Sequence, residues 1–210
     1  MKKRRSFQRP SGERPYRKLF VLATEGKRTE PEYFSIFNDG DCAVHIECIR
    51  SGSKSSPVQV LERMARHLKK KGLKKTDEAW LIVDTDKWTD IQLSQLYSWS
   101  SEKENHGIAV SNPGFEYWLL LHFDDGSRID GMQCCLDRLR QHLPNYDKSI
   151  GIRSFQRELI ETAVERARKR DTPPCEDWPR NPGVTTVYRL VANILKATGR
   201  DAIKTEVTDT

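Results

Sequence analysis

The chain has 210 residues, of which 36% are hydrophobic and 31% charged, with a mean hydropathy of −0.73. That length buries a real core and favours one domain with elaborations over two equal domains, while no apolar run approaches the ~18 residues that a membrane span requires. The basic start is not followed by an apolar segment, so it does not read as a secretory leader, and a cytoplasmic protein with no membrane partner is expected. Five cysteines make an odd set with no C-x-x-C spacing, and the adjacent Cys134-Cys135 pair suits neither a disulfide framework nor zinc. Reduced thiols follow. The five histidines are scattered, so any bound metal is expected to be a hard cation with oxygen ligands.

The net charge of +6 is unevenly spread. Residues 1–18 carry eight Lys or Arg against Glu13 alone, leaving 28 basic and 29 acidic residues in the rest. A basic arm on a nearly neutral body is the pattern of sequence-independent phosphate contact, and nucleic acid is the partner it points to. A solvated tail that aids solubility is the plainer alternative.

In chain order, an apolar run from Lys18 to Thr24 reads as a buried strand. Thr29-Glu30-Pro31-Glu32 has the spacing of a capping box, with Thr29 as cap and Glu32 reaching back, and predicts a helix carrying Tyr33, Phe34, Ile36 and Phe37. Ala43 to Ile49 is a second strand, and a polar loop ends in a serine before Pro57. The helix from Pro57 to Lys71 sets Val60, Leu61, Met64 and Leu68 on one face and ends at Gly72. Its other face, with Arg63, Arg66, Lys69, Lys70 and Lys71, is strongly basic. A third strand runs from Trp80 to Asp84, a helix from Thr89 to Glu104, and a short fourth strand over Gly107 to Val110. An apolar helix follows from Phe115 to Phe123, and further helices are predicted over 131–142, 152–170 and 184–197. This alternation makes an α/β fold with a helical C-terminal extension.

The chemistry concentrates where strands end. Glu25 follows the first strand, and Asp84-Thr85-Asp86 closes the third. A doubly wound sheet of this length commonly has order 2-1-3-4, which makes the first and third strands neighbours at the switch point and brings Glu25, Asp84 and Asp86 within one cation's reach. Mg²⁺ takes one or two carboxylates and keeps waters and phosphate oxygens, so these three acids suffice for Mg²⁺ or Mn²⁺. Acids after strands also serve as turn and cap residues, and that reading stays open here.

Three segments together resemble the RloB family of prokaryotic proteins. They are Thr24-Glu25-Gly26 with Thr29-Glu30-Pro31 and Tyr33-Phe34, then Asp84-Thr85-Asp86-Lys87-Trp88, then the run from Ser111 to Phe123. The resemblance extends to Asn181-Pro182 and Thr185-Thr186-Val187-Tyr188. It implies a Toprim-like fold, in which a Glu after the first strand and a DxD after the third bind metal, matching Glu25, Asp84 and Asp86. It further implies anti-phage defence through nucleic-acid cleavage, favouring RNA such as tRNA while the residues themselves leave DNA open. A partner ATPase of the ABC or AAA type is also implied. The expected organisation is a basic arm over 1–17, a Toprim-like doubly wound, mostly parallel core over 18–123, and a helical extension over 124–210 packed on that core.

Beyond the metal set, Glu116 is a candidate further ligand or general base, because a carboxylate beside an apolar core is costly unless used. Asn112 could orient a phosphate, although capping the helix that follows is the preferred reading for it or Ser111. Arg28, Lys87 and the arm would hold the substrate backbone, with Lys148 and Arg153 as further cations of unfixed position. His122 falls on another side of its helix from Glu116 and reads as a core histidine. Trp88 could stack on a base, but covering the sheet end is its plainer job. The leading expectation is a Mg²⁺-dependent endonuclease with catalytic Glu25, Asp84, Asp86 and Glu116. The alternatives are a noncatalytic nucleic-acid-binding or partner subunit of a defence ATPase, and a receiver-like phosphoacceptor using Asp84. A homo-oligomer is left open.

Overall fold

The computed structural model describes residues 17–38, 43–52, 56–85, 88–147, 150–151 and 155–199. The basic arm over 1–16, Cys42, Asp86, Lys87, Lys148 and Arg153 lie outside them. Five strands form one sheet in the order β2-β1-β3-β4-β5: β1 Lys18–Thr24, β2 Val44–Ile49, β3 Glu78–Asp84, β4 His106–Asn112 and β5 Val184–Thr185. The first four run parallel and β5 pairs antiparallel to β4. This is the expected doubly wound, mostly parallel α/β arrangement with helices on both faces.

Parallel strands buried on both sides should be apolar without alternation, and β1 and β3 are. On β1, Phe20 and Leu22 enter one core, while Val21 and Ala23 enter the other. The helices on the second face are α2 Pro57–Lys71 and α3 Asp90–Ser101, whose Val60, Met64, Leu93 and Leu96 are buried there. The first face receives α1 Thr29–Ser35, α4 Phe115–Leu120, α5 Met132–His142, α6 Arg157–Arg170 and α7 Val187–Ala197. Its centre is an aromatic nest of Phe34, Phe115, Trp118, His122 and Phe155 around Tyr33. Each such ring contributes on the order of 1.5–3 kcal/mol by leaving water, which is how residues far apart in sequence hold the extension to the sheet.

Local chemistry explains where the elements start and stop. Helix α2 has the expected bounds: Ser56 and Gln59 form a capping box, Pro57 opens the helix, and Gly72 closes it at φ 72°. Helix α3 is capped by Thr89 and ends at Ser101, short of the expected Glu104, because a turn closed by His106 N–H donating to the Lys103 carbonyl at 3.0 Å delivers β4. Strand β4 runs on to Asn112 because Ser111 and Asn112 pair with Thr185 and Val184. That two-residue β5 is where a helix start was expected, so α7 begins at Val187.

Three other expectations are corrected. The Thr29/Glu32 capping box is not formed: Arg28 holds the cap position, Thr29 lies inside α1, and Glu32 accepts the Ile150 N–H at 3.1 Å. Neither Ser111 nor Asn112 caps α4, since both lie in β4 and Gly114 precedes the helix in extended backbone. Helix α4 stops at Leu120 instead of Phe123, because the chain turns to place Asp124 against Arg138 and the Leu120 carbonyl. Among the described residues, Cys48, Cys134, Cys135 and Cys175 are free thiols, and no helix is long and apolar enough to cross a membrane.

Candidate metal and phosphate site at the sheet rim

Strands β1 and β3 are neighbours, and their chain connections leave in opposite directions, so the crevice at their carboxyl ends is the switch point of the sheet. Glu25 enters it directly from β1, its N–H bonded to the Ile82 carbonyl of β3 at 2.9 Å. The Glu25 carboxylate bends over the end of β3, where Oε2 accepts the Trp88 indole N–H at 2.9 Å and the Asp84 backbone N–H at 3.3 Å. Trp88 therefore both covers the sheet end and orients Glu25.

Asp84 is the last residue of β3, in register with Ser111 of β4. Its carboxylate turns toward the β4–α4 turn. Asp84 Oδ2 and Glu116 Oε2 lie 3.2 and 3.3 Å from the single point where a side chain on Gly114 would begin. A Cβ there would press on both carboxyl groups and displace the tip of the Met132 side chain. Glu116 is only 3% exposed, and its Oε1 accepts the Tyr146 hydroxyl at 2.9 Å. Burial, reinforced by the Glu116 charge, keeps that phenol protonated and a donor.

The sequence pattern does not single out Glu30 or Tyr146. Glu30 is 4% exposed and reaches back so that Oε1 accepts the Gly26 N–H at 2.8 Å. Burial pushes its carboxyl above the usual range, and the negative charges of Glu116 and Glu25 add to the shift. A Cβ on Gly26 would displace that carboxyl group from its present position. The available signal was that Glu30 stands in the same short motif as Glu25, but the capping-box spacing pointed to Glu32 instead. Tyr146 carries no local signal, because the folded extension alone brings it to Glu116.

Around this rim, Arg63 of α2 donates Nη2 to the Thr24 carbonyl at 2.7 Å, immediately before Glu25. Its guanidinium is lowered by burial and by the like charge of Arg66, with Glu25 opposing. Arg28 is exposed on the turn after β1 that also holds Glu25. Asn112 is directed elsewhere: its amide donates to the Arg180 carbonyl at 3.1 Å and the Pro179 carbonyl at 3.5 Å, pinning the segment before β5. His122 is a core residue. Its Nε2 meets the Tyr33 hydroxyl at 3.1 Å, its Nδ1 faces the Trp118 and Leu119 carbonyls, and burial holds it down to about 3. The Cys48 and Cys135 thiols near Glu30 and Glu116 are pushed up to about 12, chiefly by burial, so neither is a ready nucleophile.

Glu25, Asp84 and Glu116 thus converge on the rim, whereas Asn112 does not, and Asp86 and Lys87 lie outside the described residues. Among the described residues no group of three or more His, Cys, Asp or Glu side chains is close enough to hold a metal ion. Asp84 and Glu116 bring two carboxyl groups together there with Glu25 beside Asp84, and this oxygen-only chemistry fits a hard cation that keeps most of its own waters.

No curated protein and no solved structure matches the chain. The family described as RloB-like protein matches residues 20–194, a span from within β1 to within α7, and the chain belongs to that family.

Proposed function

We propose that this chain is a metal-dependent phosphodiesterase that cuts nucleic acid, RNA such as tRNA in the first instance, in defence against phage. What supports the reading is the convergence of Glu25 and Asp84 from neighbouring parallel strands at the switch-point crevice, with Glu116 closing the third side. Glu25, Asp84 and Asp86 would hold Mg²⁺ or Mn²⁺. When bound, such an ion activates water and stabilises charge on the phosphate oxygens.

The chain's own groups account for the rest. Trp88 and the Asp84 N–H fix the Glu25 carboxylate, leaving it oriented to take a proton from the attacking water. Arg28, Lys87 and the basic arm counter the charge of the substrate backbone, while Tyr146 holds Glu116 toward Asp84. The test is to sequence RNA and DNA from cells expressing the wild type or Asp84→Ala. New ends that appear only with the wild type are expected and name the substrate; identical profiles would overturn the reading.

A second reading, a noncatalytic nucleic-acid-binding subunit for an ABC- or AAA-type ATPase, has one observation on its side. Among the described residues the carboxyl groups fall short of a three-ligand metal cluster. It predicts retained binding with no turnover in Mg²⁺ or Mn²⁺.

A further inference from the structure

Positive charge in the folded body is concentrated on one helix. Helix α2 carries Arg63, Arg66, Lys69, Lys70 and Lys71 against the single acid Glu62. Helix α6, of similar length, is equally rich in Lys and Arg but offsets more than half of them with Glu158, Glu161 and Glu165, and its Arg157 pairs with Glu161 at 2.8 Å. Because residues 19–210 come close to neutral only with α2 counted in, and the rest of that span is net acidic, the α2 charge is not part of a general basic coat.

Its position is as telling as its size. Val60 and Met64 seat α2 on the sheet, and Arg63 touches the Thr24 carbonyl beside Glu25, so this helix starts at the rim and leads away from it. Arg66 follows Arg63 by one turn, and Lys69 and Lys70 follow Arg66 at the spacings that share a helix face. All three are exposed. Lys71 is already engaged by Glu47 at 2.5 Å. Lysines in a last turn complement the helix dipole, which accounts for Lys69 and Lys70 but not for Arg66 at mid-helix. There its charge works against Arg63, a like-charge cost that a polyanion would relieve. From Arg63 to Lys70 the helix rises about 10 Å. Measured along a duplex axis, where one strand places a phosphate about every 3.4 Å, that length faces roughly three phosphates.

Resting on the nucleic-acid reading above, we infer that Arg66, Lys69 and Lys70 form a track along which the substrate's phosphodiester backbone leaves the acidic rim. The track reads phosphate only and carries no sequence preference.

The test is fluorescence anisotropy with a labelled single-stranded RNA and with its duplex, in EDTA so that nothing turns over, across a series of NaCl concentrations. In R66Q/K69Q/K70Q the slope of log affinity against log salt should fall by roughly 2 for the single strand and roughly 3 for the duplex, with binding weakened at least about tenfold. R140Q/R168Q/K169Q removes the same charge from α5 and α6 on the other sheet face and should leave the slope unchanged. Should the triple variant fail to melt cooperatively, R66Q alone should lower the slope by roughly 0.7–0.9. An unchanged slope in the track variants, or an equal loss in the control, overturns the track while leaving the nuclease reading intact. Wild-type protein that binds neither oligonucleotide, in EDTA or with Ca²⁺ supplied in its place, overturns both.

Discussion

Glu30 shows how the rim is held in tension. A carboxyl group this buried is costly when ionised, and the neighbouring Glu116 and Glu25 make it costlier, so the folded chain holds the Glu30 proton more tightly than the unfolded chain does. The native state therefore binds more protons than the unfolded state above the ordinary carboxylate range, and stability drains as pH rises through Glu30's elevated value. Glu30→Gln keeps an acceptor for the Gly26 N–H while removing the titration. In EDTA the variant should melt higher than wild type at roughly pH 8 and level with it at about pH 4. The gap should be about 2–4 °C for each kcal/mol of relieved cost. Equal melting at the higher pH would mean that Glu30 is not a buried, proton-holding group.

At the level of elements, strand ends deliver the carboxylates and the helical extension steadies them. Tyr146 lies on the link between α5 and α6, yet its hydroxyl reaches Glu116 in the first turn of α4. Tyr146→Phe keeps the ring's packing and deletes that bond, a loss of about 1–3 kcal/mol for a buried acceptor. Melting should fall by several degrees, and in a cleavage assay kcat should drop while KM stays near wild type. Unchanged melting would show that the extension does not brace the site.

The same distinction explains what could be read from the sequence. Strands β1 and β3 were legible because sheets covered on both faces demand unbroken apolar runs, and α2 because Ser56, Pro57 and Gly72 mark its ends chemically. Strand β5 was not, since two residues make no periodic signal and exist as a strand only through Ser111 and Asn112. Glu25 and Asp84 were visible through their place after strands. Glu30 and Tyr146 acquire their roles only once α1 and the extension fold over the rim.

Across the whole molecule, two opposite charge patterns meet. Acids gather at the carboxyl end of the sheet around Glu25, Asp84 and Glu116, and cations lie along α2 and in the sequence of the N-terminal arm. A site that concentrates carboxylates beside a polyanion's path works only if a cation stands between them, which makes cation uptake the hinge of the account. Isothermal titration calorimetry of Mn²⁺ into wild type, Glu25→Ala and Asp84→Ala addresses it directly. Saturable uptake by the wild type and its loss in both variants are expected, with all three proteins melting cooperatively. Absence of uptake by the wild type, or equal uptake by the variants, would contradict it.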